Sequence, residues 1–209
     1  MGWIMLAWPP EERAQPGFNQ KAIAAEVASV RIDPLGSVTV VLATAPQGQG
    51  HETISAQIVA QELGLHPNEI YVRTEFDSFS RVWTTTSGTY SSRFAAVGAS
   101  AVAQAARQVR DKIKLIAALE LDVPSEDLEL ADGHVRSRSK PDKAISISHV
   151  AAFCHWSTHL LPEGVEPALH ATCVYNMPTV NFPDEHDRMD TSCTHGFIAE
   201  VCGIEVDLQ

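Results

Sequence analysis

Two glycine-bearing turns, each running directly into a helix-forming stretch, constrain this chain more than any other feature. The first is Pro46-Gln47-Gly48-Gln49-Gly50-His51-Glu52-Thr53 and the second is Ser87-Gly88-Thr89-Tyr90-Ser91-Ser92-Arg93. A helix start leaves backbone N–H groups unpaired and carries partial positive charge, so it attracts anions. Glycine reaches positive φ without steric cost and lets a ligand come close to the backbone. Two such turns suggest one extended, phosphate-bearing ligand held from two sides, with ordinary loop glycines as the alternative. Neither turn is a P-loop, because no Gly-Lys-Ser/Thr follows. Neither has the full Gly-x-Gly-x-x-Gly spacing after a parallel strand.

The sequence around the turns reads as α+β. Residues 25–32 and 37–43 are β-branched runs flanking Asp33-Pro34-Leu35-Gly36, a hairpin signal. From Gly50 a helix is predicted to about Leu63, with Ile54, Ile58, Val59 and Leu63 at helical spacing and Gly64 at the C′ position. Ile70-Tyr71-Val72-Arg73 reads as a short strand. The irregular stretch 74–86 carries Phe76, Phe79, Val82 and Trp83, which suits packing under a lid or one wall of a pocket. The second turn opens a long helix, about 92–119, whose Val102, Ala106, Val109, Ile113 and Ile116 form one buried stripe. Its first half is rich in Ala, Gly and Ser, so backbone or ligand can approach it closely.

Beyond residue 122 the texture changes. A small hairpin is predicted around Asp132-Gly133, a strand at 144–147, a short helix at 147–153, and strand-like runs at 168–175 and 197–206. The apolar residues 1–8 read as a strand and are too short for a signal peptide or a membrane span. The predicted organisation is a first segment, 1–122, with the hairpin and both turn–helix units, and a small α+β segment, 123–209. Mixed sheets with two main helices packed on them follow from this order. The strand-like runs at both ends suggest a piece of something larger, because unpaired sheet edges are a liability.

With 44% hydrophobic residues, 209 residues can build a sizeable core. A formal net charge of -11, from 26 acidic against 15 basic residues, opposes nucleic-acid binding. Cys154, Cys173, Cys193 and Cys202 form no CxxC pair and read as reduced thiols of a cytoplasmic protein. His155 and His159 have the spacing of two metal ligands on one helix face. Pro162 and Gly164 shorten any helix there, and the cysteines follow no finger pattern, so scattered histidines are the favoured reading. No Gly-x-Ser-x-Gly elbow is present. Asp77, in the aromatic stretch, is a candidate pocket acid, whereas Glu11-Glu12 and Asp184-Glu185 read as solvated loop charges.

Gly48-Gln49-Gly50-His51-Glu52-Thr53, followed by Ala56-Gln57-Ile58 and Glu62-Leu63-Gly64, resembles the molybdopterin-binding large subunit of the xanthine dehydrogenase and aldehyde oxidase family. The similarity is strongest to the carbon monoxide dehydrogenase-like branch. Gly88-Thr89-Tyr90-Ser91-Ser92-Arg93 resembles that family's Gly-Thr-x-Gly-Ser-Arg element, with Ser91 in place of a glycine. The hairpin at 30–40 and the run 201–207 fit as well, and the resemblance is fullest over residues 25–120.

The resemblance implies that both turns hold a molybdenum cofactor, in the molybdopterin cytosine dinucleotide form. Carried over by position, Gln49 meets the pterin or the metal's oxo ligands, with Gly48, Gly50 and His51 adding contacts nearby. Thr89, Tyr90, Ser91, Ser92 and Arg93 meet the pterin or pyrophosphate. The family's catalytic glutamate and its substrate-side loops have no counterpart here, so no catalytic residue is expected in this chain, and none of its side chains is expected to ligate the metal. The expectation is therefore a middle segment of a molybdenum hydroxylase large subunit, inactive alone, which uses water as oxygen source on a small organic substrate. FAD and [2Fe-2S] are expected on partner subunits. A non-catalytic cofactor-binding or assembly module is the alternative. Alanine at Gln49 and Arg93 is expected to lower cofactor content more than folding.

Overall fold

The computed structural model describes residues 25–75, 89, 92–176, 185–186 and 199–207. Its larger sheet starts from the predicted hairpin. Strand β1 (Ala25–Ile32) pairs antiparallel with β2 (Val38–Leu42), in register from Ala28 opposite Leu42 to Ile32 opposite Val38. Asp33 closes the turn, its Oδ1 accepting the N–H groups of Leu35 and Ser37 at 2.9 Å each. Helix α1 (His51–Leu63) leaves β2 through the first glycine turn and returns the chain to β3 (Ile70–Arg73). Because β3 lies parallel to β2, this is a strand–helix–strand crossover. The glycine turn, which the sequence places directly after the second strand, therefore lies within a crossover unit, and the parallel pairing is what the sequence reading did not assign.

Gly64 ends α1 in the left-handed conformation, φ 65°, its N–H donating to the Ala60 carbonyl. After a π-helical turn, Phe94–Gly98, the chain forms α2 (Ala99–Leu121). The long helix thus begins with a wider turn than sequence spacing predicts. Val102, Ala106, Val109, Ile113 and Ile116 are all fully buried, as their spacing predicts. They lie against the inner face of the sheet, where Ala28, Val30, Ile32, Val38, Val40 and Leu42 alternate with exposed or half-buried neighbours.

A second, three-stranded sheet follows: β4 (Leu128–Ala131), β5 (His134–Ser137) and β6 (Ala144–Ser146). It docks on the end of α1, the Gly133 N–H donating to the Gly64 carbonyl at 2.9 Å. Ser146 caps α3 (Ile147–Trp156), its side chain accepting from the His149 N–H. The chain then returns as β7 (Leu169–Asn176), antiparallel to β1, giving the order β3-β2-β1-β7. A strand from the second predicted segment is thus hydrogen-bonded into the sheet of the first.

Two expectations change. The helix predicted at 147–153 runs on to Trp156. His155 lies in its last turn and His159 in a separate 3-10 turn, so the two do not share one helix face. The strand expected at 197–206 is not formed in its described part: residues 199–207 have no regular structure, and Val201, Ile204 and Val206 lie in solvent. Alternating apolar residues become a strand only where a neighbouring ladder takes up their backbone groups. The expected strand at 1–8, the aromatic stretch from Phe76 to Trp83 with Asp77, and Cys193 lie outside the described residues. Among the described residues no helix is long and apolar enough to cross a membrane.

Candidate functional site

Thr89, a described residue of the second turn, reaches the end of the first. Gly48 and Gly50 take φ of 93° and 74°, values that L side chains rarely adopt, and a Cβ at either would point into open space. The chain bends at these two residues and exposes backbone to any ligand above the turn. Gln49, between them, folds back so that its Oε1 accepts the Gln47 N–H at 2.6 Å. Its amide NH2 remains as a donor. No side chain caps the start of α1, so its first N–H groups remain donors as well.

His51, the first residue of α1, is buried and joins the two turns. Its Nε2 lies 2.9 Å from Thr89 Oγ1 in the second turn. Its ring stacks on Phe94, with centroids 3.8 Å apart and planes 13° apart. Burial pushes the imidazole below its usual pKa, against the opposing pull of Glu52, so the neutral ring is favoured. The Phe94 ring can lie there because residue 98 is glycine: a Cβ at Gly98 would come within 2.5 Å of Phe94 Cδ2. One of the small residues predicted to allow close approach is therefore filled by the chain's own aromatic ring.

On the far side of the second turn, Ser92 is exposed with φ 55° and Arg93 is buried. The Arg93 guanidinium is gripped by β1: Nη1 donates to Glu26 Oε2, and Nη2 donates to the Ala25 carbonyl at 2.8 Å. The sequence reading placed this guanidinium toward the cofactor, whereas in the structure its fork engages the start of the sheet. Tyr90 and Ser91 lie outside the described residues.

Three buried polar residues beneath the turns were not foreseen: Glu26, Thr44 and Ser55. Ser55 lies one turn beyond His51 on the inward face of α1, which explains why Ile54, predicted to be apolar packing, is 40% exposed instead. The i, i+4 spacing of His51, Ser55 and Val59 was the available signal. Burial raises the Glu26 pKa, while the Thr44 hydroxyl and Arg93 pull it back. Thr44 Oγ1, His51 Nδ1, Ser55 Oγ and Glu26 Oε1 find no well-formed hydrogen bond among the described residues. Buried polar atoms without well-formed hydrogen bonds are costly, so such a group beneath the first turn suits a polar ligand or ordered water.

This architecture is that of a cofactor-binding domain, and the chain belongs to the molybdopterin cofactor-binding domain family, which matches residues 8–209. Among its relatives is the carbon monoxide dehydrogenase large chain of Afipia carboxidovorans, 36% identical over 157 residues, or 75% of this chain and 18% of the relative. The nicotine 6-hydroxylase large subunit of Paenarthrobacter nicotinovorans is 35% identical over 147 residues, or 70% of this chain and 18% of the relative. Quinoline 2-oxidoreductase from Pseudomonas putida 86 superposes with a TM-score of 0.64 at 34% identity, covering 74% of this chain and 19% of that one. This chain thus spans less than a fifth of the length of these relatives.

The described residues fit a molybdopterin cofactor. The first turn is open and offers backbone donors of the kind that phosphates need, and the buried hydroxyls and imidazole below it are polar.

Proposed function

We propose that this chain is the cofactor-gripping segment of a multi-subunit molybdenum hydroxylase that oxidises a small organic substrate with water as oxygen source. The observation that carries the reading is the bond between His51 of the first glycine turn's helix and Thr89 of the second turn, over a floor of buried polar residues. Gly48, Gln49, Gly50, His51, Thr89 and Ser92, with Tyr90, Ser91 and Arg93, make up the grip. The cofactor is the molybdopterin cytosine dinucleotide form; when bound, its molybdenum supplies the oxygen-transfer and two-electron chemistry. This chain's own part is to bind the dinucleotide, orient it and keep water from its phosphates. No residue of the chain serves as the catalytic base, and the isolated chain is inactive. Residues 1–122 carry the grip and 123–209 complete sheets with neighbouring segments, in a cytoplasmic assembly with iron–sulfur and flavin subunits.

The test is purification of the chain with its native partners, followed by molybdenum and cytidine nucleotide analysis. Stoichiometric cofactor supports the reading, and Gln49→Ala is expected to lower the content severalfold without altering the melting temperature. Isolation as a monomer free of molybdenum and pterin overturns it. Arg93→Ala is not a clean companion variant, because it leaves a buried Glu26 carboxylate without its counter-charge.

A further inference from the structure

We infer that Glu26 is a positioning residue for the cofactor grip, holding the second turn in place through Arg93; this rests on the cofactor-binding reading above. Glu26 and Arg93 are each 2% exposed and lie 67 positions apart in sequence. The guanidinium engages both the Glu26 carboxylate and the neighbouring Ala25 carbonyl, so the attachment has two prongs and a fixed direction. It ties the last residue of the second turn to the edge of β1. On its other side Glu26 has Thr44, two residues beyond β2 on the way to the first turn, and the Thr44 carbonyl lies near the His51 ring. A single carboxylate thus stands between the two turns, with one neighbour leading into each.

Stability alone does not account for this pair. Burying a carboxylate and a guanidinium carries a desolvation cost that an apolar pair of similar volume avoids. What a charged fork supplies, and an apolar pair does not, is direction. With Arg93 held from behind, the backbone of 92–94 is fixed relative to the start of β1. Arg93 acts as the strut and Glu26 as its anchor.

The experiment compares the assembled complex carrying wild-type chain, Glu26→Gln, the double apolar variant Glu26→Leu with Arg93→Met, and Ile113→Val as a control from the core stripe. Molybdenum and cytidine nucleotide content and the melting temperature are read for each. Glu26→Gln is expected to lower cofactor retention about tenfold, the scale of one charge-assisted hydrogen bond. The apolar double variant is expected to recover the melting temperature of the wild type while cofactor retention stays low. Ile113→Val is expected to lower the melting temperature and leave retention unchanged. Recovery of retention together with stability in the double variant overturns the proposal, as does full retention in Glu26→Gln. Either result leaves the cofactor reading standing when the wild type is loaded, whereas a wild type without cofactor overturns both.

Discussion

Nε2 of His51 and Oγ1 of Thr89 lie 2.9 Å apart although 38 positions separate them, and this bond fastens one glycine turn to the other. The stacked Phe94 ring covers the same imidazole, so His51 is held from its edge and from one face. Replacing His51 by alanine removes a hydrogen bond, a ring contact and buried volume together. The expected loss is about 2–4 kcal/mol of unfolding free energy by urea titration. A loss below about 0.5 kcal/mol, within the range of ordinary surface substitutions, means that the junction is not formed in solution.

The same residue sets a pH dependence. Burial lowers the folded-state pKa of His51, so the unfolded chain binds that proton more tightly. Its contribution is present in full above the unfolded value of about 6.5 and is lost as pH falls through that value toward the folded one. Denaturation midpoints of wild type and His51→Gln are expected to differ more at pH 8 than at pH 5.5. A gap that widens on acidification contradicts the assignment.

Glycines 50 and 64 bracket α1 with nearly the same left-handed backbone, yet their substitutions separate binding from folding. A Cβ at Gly64 lands 2.4 Å from the Leu130 carbonyl carbon and oxygen, whereas a Cβ at Gly50 meets nothing within 4 Å. Gly64→Ala is expected to cost about 3 kcal/mol or more, from backbone strain plus a clash with backbone that cannot move aside. Gly50→Ala carries only the strain, about 1–2 kcal/mol, but its methyl group enters the cradle. Cofactor retention is therefore expected to fall more in Gly50→Ala, and the melting temperature more in Gly64→Ala.

The stripe of α2 gives a control for packing. Ile113 is fully buried against the main core. Ile113→Ala is expected to cost about 2–5 kcal/mol and Ile113→Val about 0.5–1.5 kcal/mol. Equal costs for the two show that the helix shifts to fill the space.

Much of this was legible because it is local. The Asp33-Pro34-Leu35-Gly36 turn, the Gly64 cap and the Asp132-Gly133 hairpin are each written in a few adjacent residues, and the α2 stripe repeats at the helical period. The two turns were recognisable as a pair for the same reason: glycine spacing and the residues that follow are short-range signals. The end run 197–206 misled because apolar alternation shows a capacity to pair, while pairing depends on what lies alongside.

Sequence alone determined the elements, the two turns and, by resemblance, the class of ligand. The tertiary structure decided that β2 and β3 run parallel, so that the first turn and α1 form a crossover. It decided that Glu26, Thr44 and Ser55 form a buried polar floor, that Phe94 occupies the space over Gly98, and that Arg93 faces Glu26 across the sheet edge. Helical spacing can put a polar side chain on an inward face, but it does not name that side chain's partner. Its role is set by which partner 38 or 67 positions away the packing brings to it, and that is a property of the folded chain.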